Sequence, residues 1–316
     1  MTSTRFVGID ISKATFDVAF SADLRAVYSN DPAGFTQFRQ ALADDDHVVM
    51  EATGTYFLKL ATFLSAQDIT VSVINPAVIS YFARMRLVRT KTDRVDADII
   101  REYGCFEALS AWTPTEDVFI ELNQLDSHLN GLQGDRNRVI GRLEALQQCA
   151  KINAYTLEDL QQQLTDLEVR IKQTEKELVV LTQAHFPELL TLLTSIKGIG
   201  QKTAIMFIVL TRGFTRFSSP KHFASFLGLS SFIRQSGTSV RGSGGISKMG
   251  NPRMRQLLYM AALTARTRNS ACKTFAERLA GNGKPPKVVR IAVANKLIRQ
   301  AFAVCLKGES YSECYV

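Results

Sequence analysis

Four carboxylates have the residue types and spacing to work together on a phosphate. Asp10 closes one hydrophobic run, Val7-Gly8-Ile9-Asp10, and Glu51 closes another, Val48-Val49-Met50-Glu51. Asp93 and Asp96 stand three apart in Lys91-Thr92-Asp93-Arg94-Val95-Asp96-Ala97, which puts both on one face of the first turn of a helix. Acids at the ends of strands, joined by two from a helix, form an all-oxygen site for a hard divalent cation. A pair of such ions stabilises both the attacking and the leaving oxygen of phosphoryl transfer. Taken singly, each acid has an ordinary explanation as a cap or as an answer to a helix dipole. The signal lies in the order strand-Asp, strand-Glu, helix Asp-x-x-Asp. Asp17, at an odd separation from Asp10, is expected on the opposite sheet face. Asp98, two residues past Asp96, is expected to turn away.

A second set of candidates occupies a loop of small residues, 235–251, with several hydroxyls and two cations. Backbone amides in such a loop can wrap a phosphate, and one of its serines can act as a nucleophile. Composition does not choose among Ser236, Ser239, Ser243 and Ser247. Arg241, Lys248, Arg253 and Arg255 are expected to neutralise phosphate nearby, with Lys284 and Lys287 as outlying contacts. Upstream, Ser195–Ala204 has the hydrophobic-x-Gly-hydrophobic-Gly pattern of a helix-hairpin-helix. Gly198 and Gly200 permit a tight turn, and Lys197 and Lys202 flank it, so the amides of the following helix are expected to face a phosphate. Such contacts position DNA without reading its sequence. Phe214, Phe217, Phe223 and Phe226 are read as core.

These residues need elements to hold them. Residues 5–20 read as two strands around a Ser12-Lys13 turn, with a further strand at Arg25–Tyr28. A helix near Gly34–Leu42, the strand ending at Glu51, a helix at Tyr56–Ala66, a strand at Thr70–Ile74 and a helix after Pro76 continue the alternation. Strands first and then β-α-β-α predict an α/β layer sandwich with a mixed sheet over residues 1–114. Residues 115–186 contain no proline. Leu157, Leu160, Leu164, Leu167, Ile171, Thr174, Leu178 and Leu181 alternate spacings of three and four, a coiled-coil seam. A weaker seam runs from Leu122 to Leu146, so the pair is expected to form an antiparallel hairpin turning near Ala150–Thr156, or a handle between protomers. Residues 187–316 read as mainly helical, with loops at Gly213–Pro220, Gly237–Asn251 and Gly281–Pro286.

Charge divides the chain the same way. Of 38 Lys+Arg and 30 Asp+Glu, 20 basic but only 3 acidic residues lie from Thr191 onward, leaving 18 basic against 27 acidic upstream. A basic, apolar-rich C-terminal region next to an acidic N-terminal one points to a polyanionic partner, DNA or RNA. With 46% hydrophobic and 22% charged residues the chain is an ordinary globular protein, not a disordered one. Its start has no signal-peptide core, and no run is long enough to span a membrane. Five cysteines without C-x-x-C spacing fit a reducing cytoplasm and argue against structural zinc.

The segments Gly8–Lys13, Glu51–Tyr56, Val73–Pro76 and Lys91–Ala97 resemble the "insertion sequence 110" family of DEDD transposases, and so do Ser236–Gly242 and Ser247–Arg255. The resemblance implies an N-terminal domain of ribonuclease-H-like (RuvC-like) fold, with Asp10, Glu51, Asp93 and Asp96 as a tetrad binding Mg2+ or Mn2+. It implies that Ser236 is the nucleophile of a C-terminal transposase domain; the Glu that often precedes that serine is Gln235 here. The partners it implies are double-stranded DNA at element ends and target, a structured "bridge" RNA, and further copies of the chain in a dimer or tetramer. Two other classes are weighed against it. A metal-dependent junction endonuclease would use water in place of serine. An actin-like ATPase or kinase would share the Gly-Ile-Asp strand but require a second Gly-rich phosphate loop, which does not follow.

Overall fold

The computed structural model describes residues 4–88, 93–232, 235–236, 240–241 and 245–313; residues 93, 94, 232, 235, 236, 240 and 241 are described by their backbone alone. The chain divides into two compact units, Met1–Thr115 and Glu116–Val316.

In the first unit, alternating apolar and polar residues fold as a meander. β1 (Phe6–Ile11), β2 (Thr15–Ala19) and β3 (Arg25–Ser29) pair antiparallel, and β4 (His47–Glu51) and β5 (Thr70–Ile74) add in parallel on the far side of β1. The strand order is β3-β2-β1-β4-β5. Parallel neighbours need crossovers. Helix α1 (Pro32–Ala41) connects β3 to β4, and α2 (Phe57–Ser65) connects β4 to β5. Helix α1 starts where the Asp31 side chain accepts from the Gly34 amide at 2.9 Å. Helices α3 (Pro76–Met85) and α4 (Asp93–Phe106) follow, with Asn75 capping α3.

The sheet has two buried faces. Val7, Ile9, Phe16, Val18, Val48 and Met50 pack against α1 and α2. Val49 packs on the other face with Ile79 and Phe82 of α3 and Ile99 and Ile100 of α4. Close approach of α4 to β1 depends on Gly8: a Cβ there would lie 2.2 Å from the Ala97 carbonyl oxygen and 2.4 Å from the Arg101 nitrogen. At the β5 edge, the Ser72 hydroxyl donates to the Ser110 carbonyl at 2.7 Å and pairs with His47 Nε2 at 2.8 Å.

In the second unit, α5 (Asp117–Gln147) and α6 (Ala154–His185) form the expected hairpin across a six-residue connection, 148–153. Leu160, Ile171, Thr174 and Leu178 of the predicted seam are buried. Buried Thr174 and Thr182 return their hydroxyls to carbonyls four residues back. Next come α7 (Pro187–Ser195), α8 (Gln201–Thr211), α9 (Pro220–Phe226), α10 (Pro252–Arg268), α11 (Ser270–Gly281) and α12 (Pro286–Lys307). Leu122, Leu129, Ile171 and Leu178 of the hairpin share one core with Phe207, Phe223, Leu258, Leu297 and Phe302. The segments expected at 115–186 and 187–316 therefore fold as one unit. Phe214 and Phe223 are buried in that core, with Phe217 and Phe226 packed on it, as the sequence reading expects. Between α9 and α10 lie two short antiparallel ladders, β6 (Ser231–Phe232) with β9 (Gly245–Ile246) and β7 (Gln235–Ser236) with β8 (Val240–Arg241). Among the described residues no helix is long and apolar enough to cross a membrane.

Candidate active site

Pleating and register bring the carboxylates of the first unit to one face. Val49 and Gly8 both face α4, and residues alternate sides along a strand, so Glu51 and Asp10 share that face. The parallel ladder pairs Ile9 with Met50, so one step further on Asp10 lies beside Glu51 on adjacent central strands. Helix α4 carries Asp96 a turn before the point where it crosses Gly8. The Asp93 side chain lies outside the described residues. Asp10, Glu51 and Asp96 are each half-buried, shielded enough to strengthen electrostatics while still reachable from solvent. The Thr53 hydroxyl donates to Glu51 Oε1 at 3.3 Å.

Asp17 corrects the expectation from sequence spacing. It is the register partner of Asp10 across the β1–β2 hairpin. Directly opposed residues of an antiparallel pair point to the same side. Odd separation reverses the face only within one continuous strand, so Asp17 joins the acidic face. Asp98 is engaged elsewhere, accepting from Arg25 of β3 at 2.7 Å. Among the described residues no group of three or more His, Cys, Asp or Glu closes around a point where a metal ion would sit.

In the second unit the serine loop is held by its stem. The backbone of Ser236 in β7 pairs with Val240 in β8. Ser239 and Ser243 lie outside the described residues. Below the ladders, Lys248-Met249-Gly250 crosses the end of α9 so tightly that a Cβ on Gly228 would come within 2.5 Å of the Met249 oxygen. Both Gly228 and Gly250 have positive φ, +71° and +139°. Lys248, exposed and also at positive φ, donates its amide to the Gly228 oxygen at 3.1 Å. Arg255 donates to the Leu227 oxygen at 2.7 Å.

The cations singled out from the sequence fall into two groups. Arg253 is mostly buried and grips Asp126 of α5 twice, through the Asp126 backbone oxygen at 2.7 Å and Oδ1 at 2.8 Å. Burial outweighs that pairing and holds the Asp126 carboxyl above the usual aspartate range. Arg253 and Arg255 thus pin the loop stem to α5 and α9. At the helix-hairpin-helix, Ile196 and Ile199 are core, Gly198 takes a φ of +113° against Ala265, and Gly200 caps α8. Its flanking lysines are paired within the unit, Lys197 with Glu313 and Lys202 with Glu175. Lys284 and Lys287 are exposed. Asp126 belongs to no motif in the sequence, although an aspartate in the stripe Leu122, Asp126, Leu129 is the signal of a buried, paired charge.

An acid-faced mixed sheet, joined in one chain to a basic helical unit that displays a serine hairpin, is the layout of a DNA transposase or recombinase of the DEDD class. Residues 7–150 match the DEDD transposase family of IS110 elements, and residues 190–277 match the transposase IS116/IS110/IS902 family. Over 98% of both chains it is 32% identical to the pilin gene-inverting protein of Moraxella bovis, and 31% identical to that of Moraxella lacunata. Over 47% of its length it is 28% identical to an insertion element IS110 protein of Streptomyces coelicolor, covering 36% of that protein. The chain belongs to the IS110 family of DEDD transposases.

Proposed function

We propose that the chain exchanges DNA strands at specific sites through a covalent protein–DNA intermediate, using a ribonuclease-H-like acidic unit and the serine of its basic unit. The observation that carries this reading is the shared face of Asp10 and Glu51 at the ends of paired central strands, with α4 bringing Asp96 across it. Asp93 completes the tetrad. An all-carboxylate donor set, with Asp10, Glu51 and Asp96 half-buried, fits Mg2+ or Mn2+. When bound, such ions lower the pKa of an attacking hydroxyl and offset charge on the phosphate.

Ser236 Oγ attacks phosphorus. Its O–P bond forms as the bond to the leaving sugar oxygen breaks, and the proton lost by the serine is balanced by one taken up at the leaving oxygen. A free sugar hydroxyl later reverses the step on the new partner strand. Serine needs activation, and no His or Lys in its motif is evident as a base, so the carboxylate face is the source of it. Arg241 and Lys248 hold the phosphate near the loop. The family resemblance adds a structured bridge RNA that pairs with target and donor, and a dimer or tetramer.

The whole-length relatives favour one particular outcome. Their name is that of a gene-inverting protein, and inversion is the same strand exchange carried out on two sites in opposed orientation. In a plasmid assay with candidate sites, the wild-type chain exchanges strands with Mg2+. Asp10→Asn and Glu51→Gln lose exchange by on the order of 10³-fold or more, as removal of several kcal/mol of charge stabilisation requires. Duplex binding is retained. Exchange at wild-type rate by either variant sinks the site.

A further inference from the structure

The basic unit contains a groove, and of the cations around it only Lys287 belongs to a stretch marked in the sequence. Helices α9, α11 and α12 and the β6–β9 ladder enclose about 1030 Å³. Lys221, Arg278, Lys287, Lys296 and Arg299 line it, and no Asp or Glu does among the described residues. None of the five pairs with a carboxylate among the described residues, whereas Lys197, Lys202 and Arg253 all do. Five like charges around one concavity focus a positive potential that an anion relieves.

The rest of the lining narrows the anion. Leu229, Ile246 and Ile291 make an apolar floor. On it the half-buried Phe275 ring lies beneath Arg278 and Lys296, with the guanidinium carbon 5.4 Å and the ammonium nitrogen 5.3 Å from its centroid. A duplex keeps its base faces in the stack and offers such a floor only phosphate. An unpaired strand offers bases to the apolar surface and phosphates to the cations. Ser231, Gly245 and Ile246 are shared between the groove and the ladder that leads into the Ser236 hairpin. A strand lying there runs toward the proposed nucleophile, which favours DNA under exchange over RNA.

We propose that this groove holds an unpaired stretch of the DNA strand undergoing exchange, its phosphates on Lys221, Arg278, Lys287, Lys296 and Arg299 and a base against Phe275. The choice of DNA rests on the recombinase reading; binding of a single strand does not.

The full chain is titrated by fluorescence anisotropy with a labelled single-stranded DNA of about 16 nucleotides, the RNA of the same sequence and the DNA duplex, over a range of salt. In the triple variant Lys221→Gln/Arg278→Gln/Arg299→Gln, at three exposed positions, single-strand affinity falls at least tenfold and the salt slope drops by about 2, or ~0.7 per phosphate lost. Phe275→Leu weakens single-strand binding by roughly fivefold or more with the slope kept. Duplex binding stays within twofold in both, and Lys273→Gln, outside the groove, leaves the slope largely intact. Unchanged single-strand binding by the triple variant overturns the proposal, as do equal losses on duplex and single strand, or a larger loss on RNA than on DNA. Should Phe275→Leu unfold, the triple variant still decides. Failure of strand exchange by the wild-type chain, with these titrations as expected, counts against the recombinase reading and leaves the groove standing.

Discussion

The two units bring their charges together by different means. In the acidic unit, Asp10, Glu51 and Asp17 reach one face through the ladder of neighbouring strands. In the basic unit, the five groove cations come from three helices, α9, α11 and α12, brought together by core packing. A ladder has a two-residue period and a register, so it constrains side-chain direction locally. Helix packing decides which cations meet only after the whole core has formed. The contrast explains why motif-bearing Lys197, Lys202 and Arg253 have internal partners while unremarked Lys221, Lys296 and Arg299 line an open groove.

Three perturbations sharpen that contrast. The largest effect on stability is expected at the Arg253–Asp126 contact. Arg253→Met strands a buried carboxylate and costs about 3–5 kcal/mol in a urea melt. Asp126→Asn costs less, because burial already holds that carboxyl above its ordinary range and so favours the neutral form. Equal losses would remove Arg253 from the role of a pin. Next is Gly8→Ala, where the added carbon meets α4 backbone at 2.2 Å. Prying α4 from β1 costs about 1–3 kcal/mol and displaces Asp96. Gly200→Ala, with open space around it, is the tolerated counterpart in the basic unit. A Gly8→Ala protein with wild-type stability and exchange would break the account of how α4 delivers its acids.

The smallest effect is a pH dependence confined to the acidic unit. Burial lowers the pKa of His47 from 6.5. Below 6.5 the unfolded chain takes up a proton that the native imidazole, bonded to Ser72, still refuses. Stability therefore falls as pH drops from 6.5 toward the lowered value, and this group contributes no slope above 6.5. His47→Gln flattens that slope in thermal melts. An unchanged slope assigns the dependence to other groups.

How much of this was legible in the sequence follows from the same contrast. Strand ends at Asp10 and Glu51, the helix that carries Asp96, the long hairpin and the core phenylalanines were readable because each depends on local period and local breakers. Asp17 was misread because its direction depends on pairing across a turn, and counting along the chain does not encode that. Glu175 and Glu313, the partners of Lys202 and Lys197, are 27 and 116 residues away from them, so no motif could announce the pairing. The groove was invisible for the same reason. Its cations are dispersed from Lys221 to Arg299 with no shared spacing.

The account depends most on a serine linked to DNA with the help of the acidic face. Reactions quenched in denaturant and digested for mass spectrometry test this directly. The predicted result is a nucleotide phosphodiester on Ser236 that forms with Mg2+ and is missing in both Ser236→Ala and Asp10→Asn. Strand exchange with no protein-bound nucleotide at any time point, or an adduct undiminished in Asp10→Asn, would contradict it.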